Sequence, residues 1–266
     1  MPPPSSLALP SGRGLRWLLF GAEGSGKTHL LAGISRLTDR YLYLDNEGSA
    51  TAFPMPRYTK EHPYGLLTLT PERAGEVLGI VTDGIKAAAQ GKPPWDALIL
   101  DGLTEHQLVR AQAIGVQRHK EDAKEDPKVL SMRGWGLLLG DLLTLAQHLI
   151  VLSDFGTFVG VTAGVEVEND PKSGGLEARP FCQGAFGRNV GRYFDVVTYV
   201  KGVTENKLPK HIYHMLKTGP YRVKNRWEAE WLALKLPAET TNASLELLLG
   251  YIQQAAQHKS EEVSIG

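Results

Sequence analysis

In LRWLLFGAEGSGKT, residues 15–28, a short apolar run leads straight into a glycine-rich octapeptide. Leu15–Phe20 predicts a buried strand entering a turn. From Lys27 onward Leu30, Leu31, Ile34 and Leu37 fall on one face of a helix. A glycine-rich turn between such elements is built to hold phosphate. Its glycines let successive backbone N–H groups curl toward one point, and the helix N-terminus adds its positive end. Gly21, Ala22, Glu23, Gly24, Ser25, Gly26, Lys27 and Thr28 satisfy the pattern G-x-x-x-x-G-K-[ST] in full. In that pattern Lys27 reaches the β- and γ-phosphates and the Thr28 hydroxyl ligates a metal, which predicts ATP and Mg2+ as ligands.

Outward from this loop the pattern alternates. Tyr41–Asp45 (YLYLD) and Leu66–Leu69 predict strands, and Thr70-Pro71-Glu72 predicts the start of a helix carrying Ala74, Val77, Leu78, Val81 and Ile85. Ala97–Leu100 (ALIL) predicts a buried strand ending in Asp101, followed by a helix over about Thr104–Val116. Gln117–Lys128 is dense in charge of both signs and is compatible with either a helix extension or a loop. Trp135–Gln147 predicts a helix and His148–Leu152 (HLIVL) another buried strand. Strands alternating with helices specify an α/β fold with a mainly parallel central sheet flanked by helices. Phe155–Asn189 is glycine-rich and lacks a period, and long irregular stretches in compact domains are usually functional or disordered. Val196–Lys201 and His211–Leu216 predict a C-terminal β-hairpin through Gly202–Lys210, and Ala243–His258 a closing helix.

The 266 residues, 42% hydrophobic and 22% charged, suit one α/β domain with a sizeable core. No repeat or second composition zone interrupts it. A single core domain is expected over 15–258, between a flexible proline-rich lead-in at 1–14 and a frayed tail at 259–266. The start lacks the basic-then-apolar pattern of a signal peptide, and the apolar runs are interrupted by Asp141, so no membrane span is expected. The lone Cys182 excludes an internal disulfide and multi-cysteine metal sites, in keeping with the cytoplasm. Basic and acidic residues balance at 29 each, which counts against coating nucleic acid by global charge but leaves room for a local basic groove.

Asp101 ends a buried parallel strand, where a carboxylate points into the ligand crevice and can hold the water shell of magnesium. Glu47, just past Tyr41–Asp45, has the chemistry to polarise an attacking water, and so do Asp45 and Glu105. The residues alone leave these three open.

The order of features across Leu15–Trp227 resembles the RecA-like recombinase core. The resemblance implies that the glutamate of YLYLDNEGS, Glu47, is catalytic, and that Asp101 of DALILDG is the Walker B acid. It implies a γ-phosphate sensor at the end of the next core strand, Ser153 or Asp154 after HLIVL, where the family more often has glutamine or histidine. In Arg222–Trp227 (RVKNRW), Lys224 and Arg226 match the paired basic residues that reach the ATP of a neighbouring subunit and offset transferred phosphoryl charge. Two residues apart on an extended strand, they share one face; the alternative is two solvated basic residues on an edge hairpin. The short core resembles phage-encoded RecA-like ATPases, including single-strand annealing proteins of phage recombination. That resemblance implies a homo-oligomer with ATP at its interfaces, single-stranded DNA as partner, a possible single-strand-binding or replication partner, and the host cytoplasm as location.

The family's DNA path corresponds to Arg110–Arg133 and Phe155–Arg192. In the second, Lys172, Arg179, Phe181, Phe186 and Arg188 interleave cations with aromatics, a composition suited to tracking a single strand. A surface loop with Phe181 and Phe186 tucked into the core is the equal alternative. Two other functions remain compatible: a P-loop small-molecule or nucleotide kinase with Arg179, Arg188 and Arg192 as lid, and a slow ATP-dependent partner-loading switch.

Overall fold

A computed structural model describes residues 7–59, 61–70, 73, 75–124, 126–169 and 175–265. The chain runs β1 (Arg16–Phe20), α1 (Lys27–Ala32), β2 (Tyr41–Asp45), β3 (Gly65–Thr68), α2 (Glu76–Ala89), β4 (Ala97–Asp101), α3 (Leu103–Glu121) and α4 (Met132–Asp154). It continues through β5 (Phe158–Ala163), β6 (Val165–Asn169), β7 (Leu176–Pro180), α5 (Gly184–Asn189), β8 (Val196–Glu205), β9 (Leu208–His214), β10 (Lys224–Asn225), α6 (Glu228–Ala233), β11 (Glu239–Thr241) and α7 (Leu245–Ile265). The main sheet has the order β11-β9-β8-β1-β5-β4-β2-β3, with β10 also paired to β8. Strands β3, β2, β4, β5, β1 and β8 are parallel, and β9, β10 and β11 are antiparallel additions at one side. The expected class, α/β with a mainly parallel sheet flanked by helices and a C-terminal β-hairpin, is the one the chain adopts.

Strands buried on both faces read as continuous apolar runs, and β1, β2 and β4 obey this. One core face joins Trp17, Leu19, Tyr43 and Ile99 to α1 and α7; the other joins Leu18, Leu44, Leu98 and Val161 to α2, α3 and α4. Register aligns Asp45 with Asp101, and Leu100 with Val161, so Asp45, Asp101 and Thr162 come level at the carboxyl edge where the 21–28 loop begins.

Several expectations are corrected. HLIVL is not a strand: residues 132–154 form one helix, capped where the Ser131 hydroxyl accepts from Gly134 N–H. Its buried positions Leu138, Leu142, Leu145, Leu149 and Leu152 keep the helical spacing. A run of consecutive apolar residues has no period of its own, and only this packing reveals that it continues the helix. The strand that enters the sheet there is β5. By length and composition α4 could cross a membrane, contrary to the reading of short interrupted runs; here its leucine face packs on the sheet. Helix α2 starts at Glu76, later than the Thr70–Glu72 signal; Pro71 and Glu72 lie outside the described residues. The C-terminal hairpin is tighter than expected, turning at Asn206 and Lys207, both in left-handed backbone. In the expected lead-in, Leu7 and Leu9 are buried in the core, and α7 continues as helix over 259–265, where a frayed tail was expected.

Candidate functional site

The loop from Gly21 to Thr28 leaves the carboxyl end of β1 and enters α1 at its N-terminus. Gly26 occupies left-handed backbone (φ 99°), and a Cβ there would lie 2.6 Å from the His211 ring, so the loop closes only with glycine at this position. Lys27 is buried, and its Nζ donates to the carbonyls of Gly21 and Ala22, each at 2.9 Å. Burial lowers its pKa, opposed by the nearby charges of Glu47, Asp101, Glu105 and Glu23. The Thr28 hydroxyl lies 3.3 Å from that of Ser49.

Asp101 is fully buried and fixed from both sides. Tyr43 donates its phenol proton to Oδ2 at 2.9 Å and Thr162 its hydroxyl to Oδ1 at 2.5 Å. Thr162 also accepts from Gly102 N–H at 2.7 Å, and Asn46 donates through backbone and side chain to the Asp101 carbonyl. Burial and then Asp101 raise the Tyr43 phenol far above its ordinary value, so it acts as a fixed donor.

Geometry sets Asp45 apart from the other two candidate acids. Asp45 is fully buried and accepts backbone N–H bonds from Glu47, Gly48 and Ala50. It shapes the turn that presents Glu47, with both carboxylate oxygens committed to backbone N–H groups. Glu47 and Glu105 meet over Gly102: a Cβ on that glycine would lie 2.8 Å from Glu47 Cγ and 3.0 Å from Glu105 Oε2. Glu47 stays exposed at the crevice mouth, while its carboxyl end is crowded. Burial, Asp101 and Glu105, together with a hydrogen bond to Glu105, push it up to about 8 against the pull of Lys27.

Among the described residues no group of three or more His, Cys, Asp or Glu side chains can hold a metal alone. Magnesium demands no such cage: it keeps several waters and takes one or two protein oxygens plus phosphates. Thr28 and a buried, oriented Asp101 beside further carboxylates fit that donor set. When bound, the ion would neutralise charge on the phosphates.

No family model matches the chain, and no curated protein matches it in sequence. Solved structures with a similar chain path include the RadB recombinase, at 13% identity and TM-score 0.44, over 78% of this chain and 84% of that one. The flagellar accessory protein FlaH from Methanocaldococcus jannaschii follows at 11% and 0.39, over 77% and 80%. A KaiC-like protein from Pyrococcus horikoshii OT3 gives 15% and 0.40, over 77% and 81%.

The remaining site expectations divide. Ser153 and Asp154 are displaced from the crevice. They end α4, where the Ser153 carbonyl accepts from Gly14 ahead of β1, at the opposite end of the sheet. The polar residue that ends the next core strand against Asp101 is Thr162. Its signal was hidden because FVGVTAG lay in the stretch read as irregular. Tyr43 and Asn46 were also missed; each sits inside the motif read for its neighbours.

Lys224 and Arg226 both turn toward residues 191–195. Lys224 Nζ donates to the Phe194 carbonyl at 2.6 Å, and Arg226 Nη1 to Asp195 Oδ1 at 2.8 Å. Of the loop residues read as a DNA track, Phe186 is buried in the core beside Tyr193, and Phe181 is half-buried over Gly164. Arg179 is tied to Glu166 and Glu168 across the β6–β7 hairpin. Arg188 is exposed, and Lys172 lies outside the described residues. The cations gather elsewhere: Arg188, Arg192, Arg222 and Lys224 line a groove of about 360 Å³ beside β8.

Proposed function

We propose that this chain is a RecA-like ATPase that acts on single-stranded DNA and binds ATP between neighbouring copies. The observation that carries the reading is the placement of Glu47 at the mouth of the crevice that holds Lys27 and Asp101. A carboxylate there suits activation of water, whereas a kinase needs an acceptor site closed by a lid. The lid candidates argue against the kinase: Arg179 is tied within its hairpin, and Arg188 and Arg192 face the groove at the other end of β8.

The assembly is supported by distance. Lys224 pairs with the start of β8 and the Arg226 N–H donates to the Asp195 carbonyl just before it, beside the start of β1, while the loop follows the end of β1. Five strand residues span about 16 Å, beyond the reach of either side chain, so any nucleotide they touch is held by another copy. The groove of Arg188, Arg192, Arg222 and Lys224 supports a phosphodiester partner, since clustered cations bind backbone phosphates independently of sequence.

Steady-state ATP turnover, measured with and without single- and double-stranded DNA at two protein concentrations, tests the reading. Turnover per subunit is expected to rise with concentration and with single-stranded DNA. Phosphate transfer to a nucleoside with no DNA effect would favour the kinase, and near-zero turnover with nucleotide-dependent partner binding would favour the switch.

The raised pKa of Glu47 gives a pH dependence. A general base works only when deprotonated, and kcat/KM reports the free enzyme. It should therefore climb through neutrality, reach half its limit near pH 8 and level off only at more alkaline pH. In E105Q, with one neighbouring carboxylate gone, the limb should move to lower pH. A flat profile from mildly acidic to mildly alkaline pH would remove the base assignment.

A further inference from the structure

At the end of the sheet opposite the phosphate loop, three arginines converge on one carboxylate. Arg13 Nη2 donates to Asp195 Oδ1 at 2.8 Å, Arg16 donates to both oxygens through its backbone N, Nε and Nη2, and Arg226 Nη1 donates to Oδ1 at 2.8 Å. The backbone repeats the connection: Asp195 N–H donates to the Arg16 carbonyl, and Arg226 N–H to the Asp195 carbonyl. Burial alone would raise the Asp195 carboxyl; hydrogen bonds from Arg16 and Arg13, then the charge of Arg16 and the bond from Arg226, hold it well below the usual carboxylate range.

The three guanidiniums are not equivalent. The side chains of Arg13 and Arg16 are 19% and 13% exposed and Asp195 is 2% exposed, whereas Arg226 is 53% exposed. A guanidinium carries five N–H donors in a rigid fork. Arg226 commits one edge to Asp195 and keeps donors facing outward. With three positive charges on one negative, the cluster retains a surplus, and its outward part is on Arg226. A long side chain just past a two-residue strand has much rotamer freedom to lose on engaging a ligand. Fixing it beforehand removes that cost.

We infer that Asp195 is a positioning residue: it holds the Arg226 guanidinium, ready oriented, at the face presented to the nucleotide of a neighbouring copy. The inference rests on the proposed subunit-spanning site and adds a residue to it. Arg16 joins the device to the first residue of β1, and Arg13 joins it to the segment before that strand. Displacement of a reacting group by about 1 Å can cost on the order of a hundredfold in rate. Loosening this grip should therefore cost activity even though Asp195 never touches the nucleotide.

Mixed assemblies test it. K27A protomers offer Arg226 but no working loop, and R226A protomers offer the loop but no Arg226. Each alone should turn over poorly, and their mixture should recover ATP turnover several-fold. Donors carrying K27A with D195N should co-assemble with R226A protomers, as read by light scattering, yet restore at least fivefold less turnover than K27A donors. Equal restoration by folded K27A/D195N donors overturns the inference. If D195N fails to fold, D195E keeps the charge and shifts the carboxylate by one methylene, and equal restoration by D195E donors overturns it as well. Failure of K27A itself to rescue R226A, with co-assembly intact, removes the subunit-spanning site first and is distinguishable from either result.

Discussion

Glu47→Gln is expected to bind ATP as the native protein does while turning it over about 10²–10⁴-fold more slowly, the usual contribution of a positioned proton acceptor. The amide matches the carboxyl in shape but takes no proton from water. It also removes a charge that burial, Asp101 and Glu105 already disfavour, so the fold should be no less stable. The turn that presents residue 47 is held by Asp45 through three backbone N–H groups and does not depend on the Glu47 side chain. Titration calorimetry with ATP and phosphate-release kinetics check the two halves separately. Hydrolysis at the native rate by E47Q would pass the role to Glu105 or discard the base altogether.

Lys27→Ala is expected to remove nucleotide binding itself. Truncating one partner of a buried, hydrogen-bonded charge pair costs about 2–5 kcal/mol, or between about thirtyfold and a few thousandfold in Kd. In the present structure the ammonium rests on the Gly21 and Ala22 carbonyls, within reach of the charges of Glu47, Asp101, Glu105 and Glu23. Without it, a positive charge that offsets these acids beside the phosphates is lost. The loss should appear equally with ATP and with inorganic tripolyphosphate, because Lys27 addresses phosphate and not base. Unchanged affinity for both ligands in K27A would mean that the loop does not bind phosphate.

These two variants also distinguish features that were unequal in sequence. The phosphate loop was legible because its chemistry is local: glycine spacing, a lysine and a hydroxyl within eight residues, with a strand before and a helix after. Asp101 was legible for a related reason, as the end of an apolar run that admits one reading in an alternating pattern. Glu47 required more. Sequence offered Asp45, Glu47 and Glu105 as chemically equivalent, and the distinction depends on which carboxylates the backbone occupies. Asp45 is consumed by its own turn, and Glu105 meets Glu47 only because β2 and β4 are neighbours in the sheet.

The misreading of HLIVL had a wider effect. An apolar pentapeptide fits a buried strand or a buried helix equally well, and assigning it to a strand moved the expected sensor to Ser153 and Asp154. Once α4 is seen to run through it, β5 takes the place in the sheet and Thr162 comes level with Asp101. Phe186 illustrates the same limit for the DNA track: an aromatic among cations reads as a stacking platform until the core claims it.

By itself the sequence determined the α/β class, the position of the glycine-rich loop at the end of β1, and the residue types there that suit a triphosphate, because these depend on contacts within a few residues along the chain. The tertiary structure decided that Asp45 is committed to its own turn, that Thr162 and Tyr43 orient Asp101, and that Lys224 and Arg226 lie a strand's length from their own loop. Those properties depend on strand order and register, which bring together residues far apart in the chain and which no local pattern encodes.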